Sequence, residues 1–211
     1  MDIVLVQDAE SKESEYPSTI LAVIHGFKNE LKHQQLLKAT KALGINVVIP
    51  SKSEDTKELS HLQRVDLYKN LILKYGPEMI VGQSSGGNVI SSLVADESVW
   101  DGATWIISAR MIEKIYKRKH EDLPILFSHG TKDNLSYMEG ICKHKLSRCK
   151  LVAFEGDHYA QDLFVGDDAI GNIQELIRMC YALRLKEPKK LVNKLSLAEM
   201  MQSKFNSNDN V

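Results

Sequence analysis

The segment "IVGQSSGGNVI", residues 80–90, joins an apolar run to helix-like sequence through a turn rich in glycine and serine. The apolar residues before the turn predict a buried strand, and the pattern over residues 85–96 predicts a helix. Ser84 and Ser85 both lie where the chain must bend sharply. The segment therefore predicts a strand–turn–helix unit, whose turn either only connects two elements or presents one serine to a substrate.

Short apolar runs alternate with longer amphipathic stretches along the rest of the chain. The predicted strands are rich in β-branched residues without strict alternation, which favours a parallel sheet covered on both faces. They lie at residues 3–7, 19–26, 45–50, 78–83, 104–109, 124–130 and 150–156. The predicted helices lie at residues 29–44, 56–77, 85–96, 109–120, near 136–147 and at 168–185. This order predicts an α/β domain with a mostly parallel sheet of about seven strands.

The C-terminal segment is predicted to be separate from this domain. Residues 1–185 form the predicted domain and residues 186–211 an appended helical tail, because Pro188 and two lysines interrupt the preceding helix. Ser196 and Glu199 have the spacing of a capping box ahead of another helix. The amphipathic tail either packs on its own domain or binds a protein partner.

Composition and charge exclude several classes of function. The 211 residues carry a net charge of −1, so no overall field attracts nucleic acid or an anionic membrane. Three cysteines without a CxxC spacing argue against a disulfide framework or a zinc knuckle. The N-terminus lacks the pattern of a signal peptide, and no run approaches the roughly 20 apolar residues of a membrane span. We therefore expect a cytoplasmic protein with no nucleic-acid partner.

The turn in the opening segment fits the pattern G-x-S-x-G, which is known as a nucleophile elbow. In such a turn the residues two before and two after the serine come close together, so both must be small. Gly82 and Gly86 flank Ser84 in this way, whereas the bulky Gln83 would flank Ser85. Ser84 is therefore the candidate nucleophile, and the Ser85 N–H is a candidate oxyanion donor. The alternative is a glycine-rich turn that only connects the elements or binds phosphate.

A serine hydroxyl needs a base to remove its proton, and the base needs an acid to orient it. Asp133 follows the predicted strand at 124–130, and His158 follows the predicted strand at 150–156. Ligands bind at the carboxyl ends of the strands in open α/β sheets. The sequence therefore predicts a triad of Ser84, Asp133 and His158.

Three other side chains compete for these roles. His25 and His129 each lie near the carboxyl end of a predicted strand, and each is an alternative base. Asp157 is an alternative acid, but residues adjacent in sequence point apart, so Asp133 is better placed to orient His158.

Four motifs in this order resemble those of the α/β-hydrolase fold superfamily, in particular its small members without a large cap. The motifs are "HGF" (25–27), "GQSSGG" (82–87), "HGTKD" (129–133) and "GDH" (156–158). The resemblance extends over residues 19–160. The sequence departs from many relatives at Gln83, where they have histidine. It implies a three-layer sandwich with nucleophile Ser84, acid Asp133, base His158, and the backbone N–H groups of Phe27 and Ser85 as oxyanion donors.

The implied function is a carboxylesterase-like serine hydrolase that cleaves a small ester or thioester through an acyl-enzyme. Such chemistry requires neither a metal ion nor a cofactor. The alternative is a binding or scaffold protein that retains the fold without turnover, because fold alone does not establish activity.

Overall fold

A computed structural model of the chain describes residues 16–24, 29–49, 59–96, 98–109, 123–133 and 148–184. The strands in these ranges are β1 (Thr19–Ile24), β2 (Asn46–Val48), β3 (Met79–Gln83), β4 (Ala103–Ile107), β5 (Ile125–Gly130) and β6 (Cys149–Phe154). The helices are α1 (Asn29–Lys41), α2 (His61–Tyr75), α3 (Ser85–Val94), the single turn α4 (Gln161–Phe164) and α5 (Ala169–Ala182). The predicted strand at 3–7, the predicted helices at 109–120 and 136–147, and the tail at 186–211 lie outside the described residues.

The described strands form one parallel sheet in the order β2-β1-β3-β4-β5-β6. These are the predicted strands after residue 18, so the prediction of a parallel α/β sheet is confirmed. The C-terminal residue of β3, Gln83, pairs with Ile24 of β1 on one side and Ile107 of β4 on the other. The turn that follows β3 is therefore anchored at the centre of the sheet.

Helices cover both faces of this sheet, as the continuous apolar strands require. In β1, Ile20 and Ala22 pack in one buried cluster together with side chains of α1 and α5. Leu21 and Val23 point to the opposite face and pack in a second cluster with side chains of α2 and α3. The result is a three-layer sandwich with a hydrophobic core on each side of the sheet.

Local sequence signals place the ends of α2. The Ser60 hydroxyl accepts a hydrogen bond from the Gln63 N–H, and the Gln63 side chain accepts one from the Ser60 N–H. This capping box starts the helix at His61, later than the predicted start at residue 56. The helix ends at Tyr75, and Gly76 caps it at the predicted Gly76-Pro77 stop. None of the helices in the described ranges is long and apolar enough to cross a bilayer.

The strand order changes direction between β1 and β3. Strand β1 lies between β2 and β3, and the helices packed beside these strands cover opposite faces of the sheet. Such a switch point leaves a crevice at the carboxyl ends of the two strands, where ligands bind in open α/β sheets. Ser84 directly follows the carboxyl end of β3 and lies at this crevice.

Candidate active site

Ser84 has a strained backbone conformation between β3 and α3. Its φ is 51° and its ψ is −115°, a region that non-glycine residues rarely adopt. Strain of this kind costs about 1–3 kcal/mol and persists only where neighbouring contacts enforce it. The Ser84 N–H donates to the Ile107 carbonyl at 2.9 Å, and the Ser84 carbonyl accepts from the Asn88 N–H at 3.1 Å. Hydrogen bonds on both sides therefore hold Ser84 at the tip of the turn.

The absence of a side chain at Gly82 allows the close approach in this turn. A Cβ atom at Gly82 would lie 2.4 Å from Ile90 Cδ1 and 3.0 Å from the Gly86 carbonyl carbon. The first distance is shorter than the contacts that Cβ atoms make in real proteins. The second would be a tight contact with the Gly86 backbone. The strand before Ser84 and the helix after it therefore approach each other as closely as the sequence pattern predicts.

Three side chains from three loops form one hydrogen-bonded chain. Ser84 Oγ lies 2.8 Å from His158 Nε2, and His158 Nδ1 lies 2.8 Å from Asp133 Oδ2. A carboxylate only accepts hydrogen bonds, so the Nδ1–H donates to Asp133 and Nε2 accepts from the Ser84 hydroxyl. The Asp133 side chain is only 6% exposed, whereas that of His158 is 22% exposed. The acid is thus buried behind a histidine that a ligand can reach.

A second close approach brings the Asp133 and His158 loops together. Strands β5 and β6 are neighbours, and a Cβ atom at Gly130, the last residue of β5, would lie 2.4 Å from the Gly156 carbonyl oxygen. Just beyond it, the Lys132 N–H donates to the same Gly156 oxygen at 2.8 Å. The loop after β6 can therefore cross directly over the end of β5, which places its histidine against the Asp133 carboxylate.

The competing residues are placed differently. His129 is buried, and its Nε2 lies 3.7 Å from Asp133 Oδ2, so it lies behind the acid while His158 contacts Ser84. The exposed Asp157 carboxylate accepts from the Tyr159 N–H at 2.9 Å, within its own loop. His25 lies outside the described residues.

Of the two expected oxyanion donors, the structure describes Ser85 but not Phe27. Ser85 is the first residue of α3, so its N–H has no acceptor one turn earlier in the helix. The helix N-terminus adds positive potential at the same place. Phe27 lies outside the described residues. Within the described ranges, no three His, Cys, Asp or Glu side chains are grouped so that they would bind a metal ion.

Two buried polar residues beside the site were not assigned a role from the sequence. The Lys32 Nζ donates to Gln83 Oε1 at 2.6 Å, and Gln83 Nε2 donates to the Tyr159 carbonyl at 2.7 Å. Burial lowers the pKa of Lys32 from 10.5 to about 8, against the opposing effect of the Asp157 charge. The sequence contains a signal for this burial, because Lys32 precedes the fully buried Leu36 by four residues and so lies on the same helix face.

Comparisons with known proteins connect this geometry to a fold. No protein-family model matches the sequence, and no curated protein matches it. A monoacylglycerol lipase from Paleococcus ferrophilus superimposes with a TM-score of 0.62 at 10% identity, covering 87% of this chain and 100% of that one. An esterase domain from Rhodothermus marinus superimposes with a TM-score of 0.57 at 15% identity, covering 79% of this chain and 86% of that one. A serine hydrolase homologue from Coxiella burnetii gives 0.56 at 14% identity, covering 84% and 95%.

Identities this low establish the fold alone. The six-stranded parallel sheet between two helical layers and the likeness to these solved structures agree on it. The chain therefore has the fold of the α/β-hydrolase superfamily.

Proposed function

We propose that the protein is a serine hydrolase that cleaves small esters or thioesters through an acyl-enzyme. The observation that carries the proposal is the chain of two 2.8 Å contacts from Ser84 through His158 to Asp133. In this arrangement His158 Nε2 accepts the hydrogen bond from the Ser84 hydroxyl, so it is placed to remove the hydroxyl proton. That arrangement is the one that nucleophilic catalysis by serine requires.

The first half of the reaction acylates the enzyme. As Ser84 Oγ attacks the substrate carbonyl carbon, its proton passes to His158 Nε2, and Asp133 stabilises the resulting imidazolium. The Ser85 N–H, with the Phe27 N–H as the second donor, stabilises the oxyanion. His158 then returns the proton to the departing alcohol or thiol as the carbonyl re-forms.

The second half releases the acid. His158 removes a proton from water, the resulting hydroxide attacks the acyl carbon, and the proton then passes to Ser84 Oγ as the ester bond breaks. The enzyme returns to its starting state without any cofactor.

The surroundings of the site support a small ester rather than a more demanding substrate. Alcohols and thiols leave more easily than amines and need less help from the acid catalyst. Tyr159 is 51% exposed, and its ring meets that of His158 edge-on with centroids 6.1 Å apart. It offers an apolar surface beside the reacting atoms to an acyl or alcohol chain. The solved structures of similar fold that are named esterase and lipase also favour an ester substrate.

A cytoplasmic location, expected from the sequence, belongs to the same proposal.

A fluorophosphonate probe tests this function, because it forms a covalent bond only with an activated serine. Wild type should be labelled, and Ser84→Ala should not be labelled. Ser85→Ala is the matched control, since it removes the neighbouring hydroxyl but keeps the backbone N–H. Turnover of p-nitrophenyl esters should fall by about 10⁴-fold or more in Ser84→Ala.

The proposal fails if folded wild type is not labelled, or if Ser84→Ala is labelled as fast as wild type. Absence of labelling would favour a binding protein that retains the fold without turnover. Circular dichroism of each variant shows whether it is folded. A panel of p-nitrophenyl esters of increasing acyl length then measures the depth of the acyl pocket.

A further inference from the structure

Gln83 connects the Ser84 turn to the loop that carries His158. The residue is 1% exposed, and its Nε2 lies 2.7 Å from the Tyr159 carbonyl oxygen and 3.4 Å from that of His158. Ser84 and Gln83 are consecutive residues, so one contacts the imidazole ring while the other contacts the backbone that carries it. The His158 loop is thus held at two points by the end of one strand.

Lys32 determines which way the Gln83 amide points. An ammonium group only donates hydrogen bonds, so the Gln83 atom 2.6 Å from Lys32 Nζ must be the oxygen. The amide nitrogen then faces the opposite side, where it meets the carbonyl oxygens of Tyr159 and His158 in the part of the chain that the structure describes. Lys32 and the Tyr159 carbonyl therefore impose the same orientation on the Gln83 amide, one from each side.

We propose that Lys32 and Gln83 are positioning residues that hold the backbone of His158 and Tyr159 at the distance where the imidazole reaches Ser84. This inference rests on the proposed function, because it assigns the pair a role in that reaction. Lys32 lies in the first turn of α1, five residues after Phe27, the expected second oxyanion donor. The pair therefore joins α1, the Ser84 turn and the His158 loop.

The energetics separate this role from simple packing. Lys32 is only 4% exposed, and a buried cation is costly even when it is hydrogen-bonded. If the pair only filled space, apolar side chains of similar volume would stabilise the fold without affecting activity. If the pair positions His158, the same replacements should lower turnover even where stability is unchanged. The two roles therefore predict different results.

Three variants test the pair. Gln83→Met removes both hydrogen bonds, Gln83→Glu retains the acceptor for Lys32 but not the donor to Tyr159, and Lys32→Met removes the group that orients the amide. Gln174→Met is the matched control, because Gln174 of α5 also donates from Nε2 to a carbonyl, that of Ala39 at 3.0 Å, in the helical layer rather than at the Ser84 turn.

The kinetic readout is kcat and KM for a p-nitrophenyl ester, together with the rate of fluorophosphonate labelling. Misplacing a catalytic group by about 1 Å can cost about 100-fold. We expect Gln83→Met and Gln83→Glu to lower kcat by about 10- to 100-fold, with KM changed by less than about threefold. Lys32→Met should have a smaller effect in the same direction, and Gln174→Met should stay within about twofold of wild type.

A second readout is independent of activity. The His158 Nδ1–H donates to Asp133, and in wild type it should give a downfield proton resonance that exchanges slowly with water. Gln83→Met and Gln83→Glu should broaden or remove this resonance, and Gln174→Met should retain it. If wild type is not labelled by the probe, the proposed function fails and this resonance alone decides the positioning role.

Unchanged kcat and an unchanged Nδ1–H resonance in folded Gln83→Met or Gln83→Glu would overturn the inference. An equal loss in Gln174→Met would also overturn it, because the effect would then be a general one of removing an amide that donates to a backbone carbonyl. If Gln83→Met does not fold, Gln83→Glu and Lys32→Met decide on the same two measurements.

Discussion

Replacing Gly82 with alanine tests the close approach on which the Ser84 turn depends. The added methyl group would lie 2.4 Å from Ile90 Cδ1 and 3.0 Å from the Gly86 carbonyl carbon. Ile90 is fully buried, so rotating its side chain would move the overlap to another neighbour. Gly86 is contacted through its backbone, which can move only by shifting the start of α3. The substitution should therefore both destabilise the fold and displace Ser84.

The expected magnitude follows from these two contacts. Adding a methyl group to a well-packed core costs about 1–3 kcal/mol. Where alanine fits its site, the same change stabilises a protein by about 0.4–1 kcal/mol through the unfolded chain. A net loss of stability would therefore come from the contacts of the new methyl group. We expect Gly82→Ala to lower the free energy of unfolding by about 1–3 kcal/mol.

A double-mutant cycle assigns the loss to the contact with Ile90. Ile90→Val removes the Cδ1 atom and should itself cost about 0.5–1.5 kcal/mol. In the double variant the 2.4 Å contact is gone and the 3.0 Å contact with Gly86 remains. The double variant should therefore be more stable than the sum of the single losses predicts, by about 1 kcal/mol. Its activity should stay low, because the Gly86 contact still displaces the turn.

Urea unfolding measures these free energies, with the fluorescence of the buried Trp100 and Trp105 as the signal. The control is Gly171→Ala in α5, where a Cβ atom meets nothing within 4 Å and should stabilise the helix by about 0.5–1 kcal/mol. The reasoning is refuted if Gly82→Ala is as stable and active as wild type. Additivity of Gly82→Ala and Ile90→Val within about 0.5 kcal/mol would refute the assignment to Ile90.

Three further predictions concern charged side chains. Asp133→Asn should lower kcat for an ester by about 10⁴-fold, and Asp157→Asn should change it little; equal losses would contradict the assignment of the acid. The pKa of Lys32 is about 8 in the fold and 10.5 ordinarily, so the unfolded chain binds more protons between these values and stability rises with pH. Urea unfolding should show wild type gaining up to roughly 3 kcal/mol relative to Lys32→Met from pH 8 to 10.5, and a constant difference would argue against a buried ammonium. For Glu78, burial acts to raise the pKa, but the Ser18 N–H at 2.6 Å and other donors hold it below 4.5. The ionised Glu78 side chain therefore stabilises the fold above pH 4.5, and this effect is lost at lower pH. In urea unfolding at decreasing pH, the difference in the free energy of unfolding between wild type and Glu78→Gln should shrink.

The strands were predictable because their signals are local. Every strand in the described residues begins and ends within two residues of its prediction, since apolar runs and the turns between them are determined by nearby residues. The turn at Ser84 was predictable for the same reason, because the steric demand falls on residues two positions away. The four-residue helix α4 was not predicted, because one turn is too short to show a helical period.

The candidate site is a different case, because its residues are far apart in the chain. The order of the motifs predicts Ser84, Asp133 and His158 as the site residues. Their contacts, however, join positions 74 and 25 residues apart and depend on the order of strands in the sheet. The link between Lys32 and Gln83 spans 51 residues and was not predicted. Nothing near Gln83 in the sequence indicates that its side chain faces a lysine from another layer.

The sequence by itself determined which segments become strands, where the chain turns sharply at Ser84, and which residue types are available for proton transfer. These properties depend on backbone sterics and on hydrophobic periods only a few residues long. The tertiary structure alone decided that the β6 loop crosses the end of β5 over Gly130, so that His158 meets both Asp133 and Ser84. It also decided that the buried Lys32 contacts Gln83 and that Gln83 contacts the same loop, because packing a helix on a sheet brings together groups that the chain keeps far apart.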